Sequence, residues 1–159
     1  MTVSKTGGAQ AGERTSPVSL VIPGRAEYVA LCRLVAGAVG AQEGVDEETI
    51  ADLKVMVTEA CNCFLDKAHD ADGTGPAIKV EFETLPEAVV VTVSDPERRY
   101  RPAPLAADDG LSEGALSEGA LALTIMKALA DEVQQSDTEG GGSVLRLVKR
   151  VPPPAGDPS

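Results

Sequence analysis

The sequence predicts a two-layer α+β sandwich, with helices on one face of a mainly antiparallel sheet. Three observations carry that prediction: two long stretches of helical apolar spacing, a Val-rich pair of alternating runs joined by a short turn, and a final β-prone run beyond a third helical stripe. The order strand, helix, helix, strand, strand, long loop, helix, strand leaves helices to cover one sheet face.

Each element has its own signal. Ser19–Ile22 is a short β-prone run stopped by Pro23 and Gly24, and reads as an edge strand. Val29, Leu31, Cys32, Leu34, Val35, Ala38 and Val39 follow helical spacing, giving a helix over roughly 25–40 that ends between Gly40 and Gly44. Asp46 is placed as the N-cap of a second helix, about 47–69, with Glu47 and Glu48 in the first turn where the helix dipole favours carboxylates. Ile50, Leu53, Val57, Cys61, Phe64 and Ala68 form its apolar stripe.

Ile78–Thr84 and Ala88–Ser94 alternate as strands across Leu85-Pro86-Glu87, the second nearly all Val and so deeper in the sheet. Residues 95–117 read as a long loop, rich in Pro, Arg, Asp and Gly, of the length associated with functional lids or disorder. Within it, Leu111–Ala115 is repeated as Leu116–Ala120, too short for a structural repeat and best read as a local duplication. A third helix, about 118–133, carries Leu121, Ile125, Leu129 and Val133, and Ser143–Val151 forms the closing strand. Residues 1–16 and 152–159 lack apolar content and read as disordered tails around a domain at 17–151.

Composition excludes several functions. Fourteen Lys and Arg against 25 Asp and Glu give a net charge of −11, which repels polyphosphate and anionic lipid, so nucleic-acid and membrane-surface roles are not expected. No apolar run approaches the ~20 residues of a membrane span, and no secretory leader is evident, so a reduced, cytoplasmic chain is expected. Cys32 stands alone, while Cys61 and Cys63 point about 200° apart on a helix, so neither a disulfide nor a chelate is predicted.

Four places could carry chemistry. Glu59 lies mid-helix, and Asn62, Cys63 and Asp66 fall within about 60° of it, so these four share a face. That face is either a solvated surface or a general base with neighbours. Asp95, at the end of the Val-rich strand and before Pro96, either caps a turn or accepts a donor from a ligand amine. The helix entry Glu118-Gly119-Ala120-Leu121-Ala122 offers backbone donors to phosphate or is simply a good helix start. His69 is read as a solvated partner of the helix dipole.

Glu27-Tyr28-Val29 through Asp52–Cys61, the run Val93-Ser94-Asp95, and Leu116–Leu121 with Met126 and Asp131-Glu132-Val133 together resemble anti-sigma factors that are also serine-protein kinases, of the GHKL or histidine-kinase-like ATPase superfamily. The resemblance covers about residues 18–150. It implies a Bergerat-type sandwich with a mainly antiparallel mixed sheet, ATP and Mg²⁺ as cofactors, and a homodimer that sequesters a sigma factor in transcription regulation under stress. It also implies a countering anti-anti-sigma partner of the STAS type, phosphorylated on a serine or threonine. Glu59 then matches the catalytic base, Asp95 the carboxylate that holds the adenine amine, Gly119 the first glycine of the ATP lid, and Ser143 the Thr beside the adenine pocket.

The departures from that pattern are specific. Cys63 stands where the resemblance implies a metal-holding Asn, with Asn62 one place earlier, and a soft thiol is a poor ligand for Mg²⁺. Glu97 replaces a glycine after the adenine Asp, and Ala120 and Ala122 replace lid glycines, restricting the backbone's approach to phosphate. The expectation is an anti-sigma factor with ATP binding and kinase activity weakened or lost. An active kinase in which Asn62 or Asp66 substitutes at the metal position is the alternative. A redox-responsive module acting through Cys63 is a third reading.

Overall fold

The computed structural model describes residues 2–5, 17–65, 77–95, 118–137 and 143–151. Its elements in chain order are β1 (Thr2–Lys5), β2 (Val18–Pro23), α1 (Ala26–Gln42), α2 (Glu47–Asn62), β3 (Ala77–Leu85), β4 (Ala88–Ser94), α3 (Glu118–Leu129), β5 (Glu132–Asp137) and β6 (Ser143–Arg150). The strands form one six-stranded sheet in the order β1-β2-β3-β4-β6-β5. All its pairings are antiparallel, so the expected mixed character is absent among the described residues.

The register explains the core. Leu20, Val80, Val93 and Leu145 stand opposite one another across four strands, as do Val18, Phe82, Val91 and Leu147 in the next row. These side chains share one face because strand side chains alternate, and they pack with Val29, Cys32 and Ala36 of α1 and with Leu53, Met56, Val57, Ala60 and Cys61 of α2. Ala122 and Met126 bring α3 into the same core. The opposite sheet face carries the row Ser19, Glu81, Thr92, Arg146 and Gln134, where Ser19 Oγ donates to Glu81 Oε2 at 3.3 Å and Lys79 Nζ pairs with Glu81 at 3.5 Å.

α1 and α2 form an antiparallel hairpin. Gly44, at φ +71°, turns the chain out of α1 in a left-handed conformation that costs glycine nothing, and Val45 N–H donates back to the Gly40 carbonyl at 2.9 Å. Asp46 occupies the N-cap position of α2 with extended backbone, as expected, yet its side chain makes no cap hydrogen bond. The helices approach closely at small residues: a Cβ on Gly40 would lie 2.7 Å from Ile50 Cγ1, and one on Gly37 2.8 Å from Lys54 Cε.

Three expectations need correction. Residues 2–5, assigned to a tail on composition, pair with β2 by backbone hydrogen bonds, which places β2 inside the sheet rather than at its edge. The third helix stops at Leu129, and Val133 belongs to the separate strand β5. Tertiary contacts end that helix: Lys149 Nζ donates to the Leu129 carbonyl at 2.7 Å while pairing with Asp52 at 3.3 Å, and Asp131 Oδ2 accepts from Arg150 N–H at 2.6 Å. The second helix ends at Asn62, where Phe64, wholly buried, and the bond from its N–H to the Cys61 carbonyl tighten the final turn. Residues 66–69 of the expected second helix, His69 among them, the tail 152–159, the Leu111–Ser117 part of the duplication and residues 96–117 of the long loop lie outside the described residues.

Candidate functional site

The end of the sheet where β4 finishes and β6 begins brings together two buried polar residues. Ser94, the last residue of β4, pairs with Val144 of β6, so Asp95, which follows the one, and Ser143, which precedes the other, lie at the same end of the sheet. Ser143 shares the parity of Leu145, a core residue, along β6. Asp95 is 4% exposed and Ser143 1%, and each is already engaged by a neighbour. A carboxylate buried at this depth needs donors around it, which suits it to accept hydrogens from an amine.

α2 packs against β4 and β6, the two strands that carry this pair. Along its last turns Glu59 is half-buried, Asn62 exposed and Cys63 half-buried. Cys63 caps the helix, and its N–H bonds to the Glu59 carbonyl at 3.2 Å, so the two side chains lie one turn apart on the same side. Burial pushes the Cys63 thiol up to about 11, and the negative charge of Glu59 adds to that rise. The thiol is therefore protonated at neutral pH, opposite to the thiolate that a redox-responsive module needs.

The fit to each expected cofactor differs. Asp95, a buried carboxylate, is an acceptor of the kind an amine donor needs. The metal position does not suit Mg²⁺, because a protonated soft thiol offers no hard oxygen, and among the described residues no group of three or more His, Cys, Asp or Glu could hold a metal. Asp66 and Glu97 lie outside the described residues. Gly119 and Ala120 fall in the first turn of α3, whereas Ala122 is buried, its methyl packed in the core.

One relationship escaped the sequence reading. Cys32 of α1 and Cys61 of α2 are both wholly buried and hydrogen-bonded to each other, so Cys32 does not stand alone. Helical periodicity within one segment carries no signal for a contact between two helices.

The histidine kinase-like ATPase domain family matches residues 22–149 of the chain. The chain belongs to this family. It is also similar to the serine-protein kinase RsbW of several bacteria. It is 30% identical over 134 residues to that of Bacillus pumilus, covering 80% of this chain and 83% of the relative. Against that of Bacillus licheniformis it is 28% identical over 141 residues, covering 84% and 86%. Among solved structures, the RsbU and RsbW domains of Rv1364c from Mycobacterium tuberculosis share the fold with a TM-score of 0.60 at 17% identity. That match covers 86% of this chain and a third (33%) of the other. The SiaB–SiaC complex from Pseudomonas aeruginosa supplies a second match, with a TM-score of 0.51 at 15% identity over 83% and 88% of the two chains. In this histidine kinase-like ATPase domain, no described helix is long and apolar enough to cross a membrane.

Proposed function

We propose that this chain is a cytoplasmic, homodimeric anti-sigma factor that sequesters a sigma factor and is countered by an anti-anti-sigma partner of the STAS type, with its kinase activity weakened or lost. The observation that supports the reading is a contrast: Asp95 and Ser143 are both buried at one end of the sheet, while the position beside Glu59 is a protonated Cys63 thiol. Its relatives are named serine-protein kinases, and one structural neighbour is a two-protein complex, which supports a partner-binding role.

In this reading Asp95 accepts a hydrogen from the adenine amine and the Ser143 hydroxyl stands beside it. ATP, when bound, supplies the phosphoryl group. Glu59, half-buried, is the group that would take the proton from a partner hydroxyl. No step is assigned to Mg²⁺, because the metal position does not fit it.

Calorimetric titration with ATP and ADP, each with and without Mg²⁺, tests the reading together with a sigma-factor pull-down. Weak nucleotide binding that ignores Mg²⁺, with sigma binding at micromolar concentration, is expected. Absence of sigma binding at that concentration overturns it. The exposed Asn62 on Glu59's side of α2 favours a second reading, an active kinase. Transfer of labelled phosphate to a partner serine, abolished by Glu59→Ala, would establish that reading instead.

A further inference from the structure

All three helices pack on the core side of the sheet, so among the described elements none covers the other side. The register divides that other side into columns of opposite charge. β3 points Lys79, Glu81 and Glu83 outward and β6 points Arg146 and Arg150, while β4 between them carries only Ser94, Thr92, Val90 and Ala88. Glu81, Thr92 and Arg146 stand in one row, the two charges one strand to either side of Thr92. Both charged residues are half-buried, and Ser19 Oγ and Lys79 Nζ hold the Glu81 carboxylate at 3.3 and 3.5 Å. Val90 and Val148, paired in the next row, are buried and give this side an apolar floor apart from the core beneath the helices.

We propose that this side of the sheet is the surface on which a second copy of the chain docks, related by a two-fold axis that runs along β4 midway between the two sheets. The proposal rests on the homodimer of the reading above and assigns its interface. Rotation about that axis lays β3 of each protomer over β6 of its partner and keeps every row in place. Glu81 then meets Arg146 of the partner subunit and Arg146 meets the partner's Glu81, so one contact is made twice.

Charge selects both the occupant and the axis. Two copies of a chain carrying −11 repel each other at a distance, so a stable pair needs matched charges at the contact. A two-fold axis across the strands would set β3 over β3 and β6 over β6, carboxylate against carboxylate and guanidinium against guanidinium. Only the axis along β4 opposes unlike columns. Stacked sheets lie about 10 Å apart with strands about 30° out of line, which leaves the rows beside the axis facing one another. Arg suits the contact because its planar fork grips a carboxylate at two points.

The test reads mass by size-exclusion chromatography with light scattering at micromolar concentration. The unsubstituted chain is expected as a dimer. Glu81→Arg and Arg146→Glu each oppose like charges twice, and each should weaken dimerisation at least tenfold while keeping the far-ultraviolet spectrum of the unsubstituted chain. An equimolar mixture of the two variants should recover a dimer, because the two introduced charges then face each other and the two native ones do likewise. Should either variant fail to fold, Thr92→Cys in the Cys63→Ser chain, with Cys32 and Cys61 buried, reads the geometry directly. Position 92 flanks the axis, so mild oxidation should give a disulfide-linked dimer, whereas Gln134→Cys, two strands away on β5, should not. Dimers indifferent to both reversals, a mixture that stays monomeric, or linkage at 134 in place of 92 overturns this surface and leaves the homodimer standing. An unsubstituted chain that is monomeric overturns the homodimer and the surface with it.

Discussion

Ser94 of β4 pairs with Val144 of β6, and the residues just beyond them, Asp95 and Ser143, are both buried. If that pair reads the adenine amine, Asp95→Asn removes the acceptor charge and lowers ADP affinity at least tenfold, in keeping with the roughly 1.5–3 kcal/mol of a charged hydrogen bond. Calorimetry measures the loss, and an unchanged far-ultraviolet spectrum separates it from unfolding.

Restoring the amide at the metal position should restore cation dependence. In Cys63→Asn a hard carbonyl oxygen replaces the thiol one turn from Glu59, so ATP affinity should rise at least tenfold when Mg²⁺ is added. Titration in the presence and absence of Mg²⁺ checks this, and an equal response in the unsubstituted chain would contradict it.

The Cys63 thiol also predicts a pH dependence. An unfolded thiol titrates near 9.0 and the folded one near 11. Below pH 9 both states keep the proton and the stability contribution is fully present. As pH climbs from 9 to 11 the unfolded chain gives up the proton while the folded chain holds it, so the contribution of about 2 kcal/mol is lost. Urea midpoints across that range should fall less for Cys63→Ser than for the unsubstituted chain.

Gly40→Ala places a Cβ 2.7 Å from Ile50 Cγ1, inside any real contact distance. The expected cost of about 1–3 kcal/mol from overpacking outweighs the gain of up to about 1 kcal/mol from helix propensity. Ile50→Val, which frees space at that contact, should recover part of the loss, and denaturant titration of the single and double variants measures the coupling.

Lys149→Met removes both the donor to the Leu129 carbonyl and the ion pair with Asp52. A partly buried carbonyl left without its partner costs about 1–3 kcal/mol, so the melting point should fall by several degrees. Faster amide exchange at the end of α3 would localise the effect.

Much of this architecture was legible because its elements obey strong periodicities. Leu53, Val57, Cys61 and Phe64 mark α2 as amphipathic, and the alternation from Ile78 through Ser94 marks a hairpin. β5 escaped because Glu132–Asp137 holds one apolar residue, Val133, whose spacing from Leu129 also suits a helix. What decides against the helix is Lys149, a residue of another strand, and no local pattern carries that information. At the site, the face shared by Glu59, Asn62 and Cys63 was readable from helical angles. That Asp95 and Ser143 lie at one end of the sheet depends on strand register, and the burial of Cys32 and Cys61 in one core depends on how two helices pack.

The position of β6 between β4 and β5 has a consequence for biogenesis. Residues 143–150 supply the strand between β4 and β5, the whole pairing of β5 and the lysine that bonds the last carbonyl of α3. A nascent chain lacking them can form the β3–β4 hairpin and the helical pair, but β4 keeps an open edge and β5 has nothing to pair with. The sheet is therefore completed only after that last segment has left the ribosome and inserted, and a translational stall before it yields a product with an exposed strand edge.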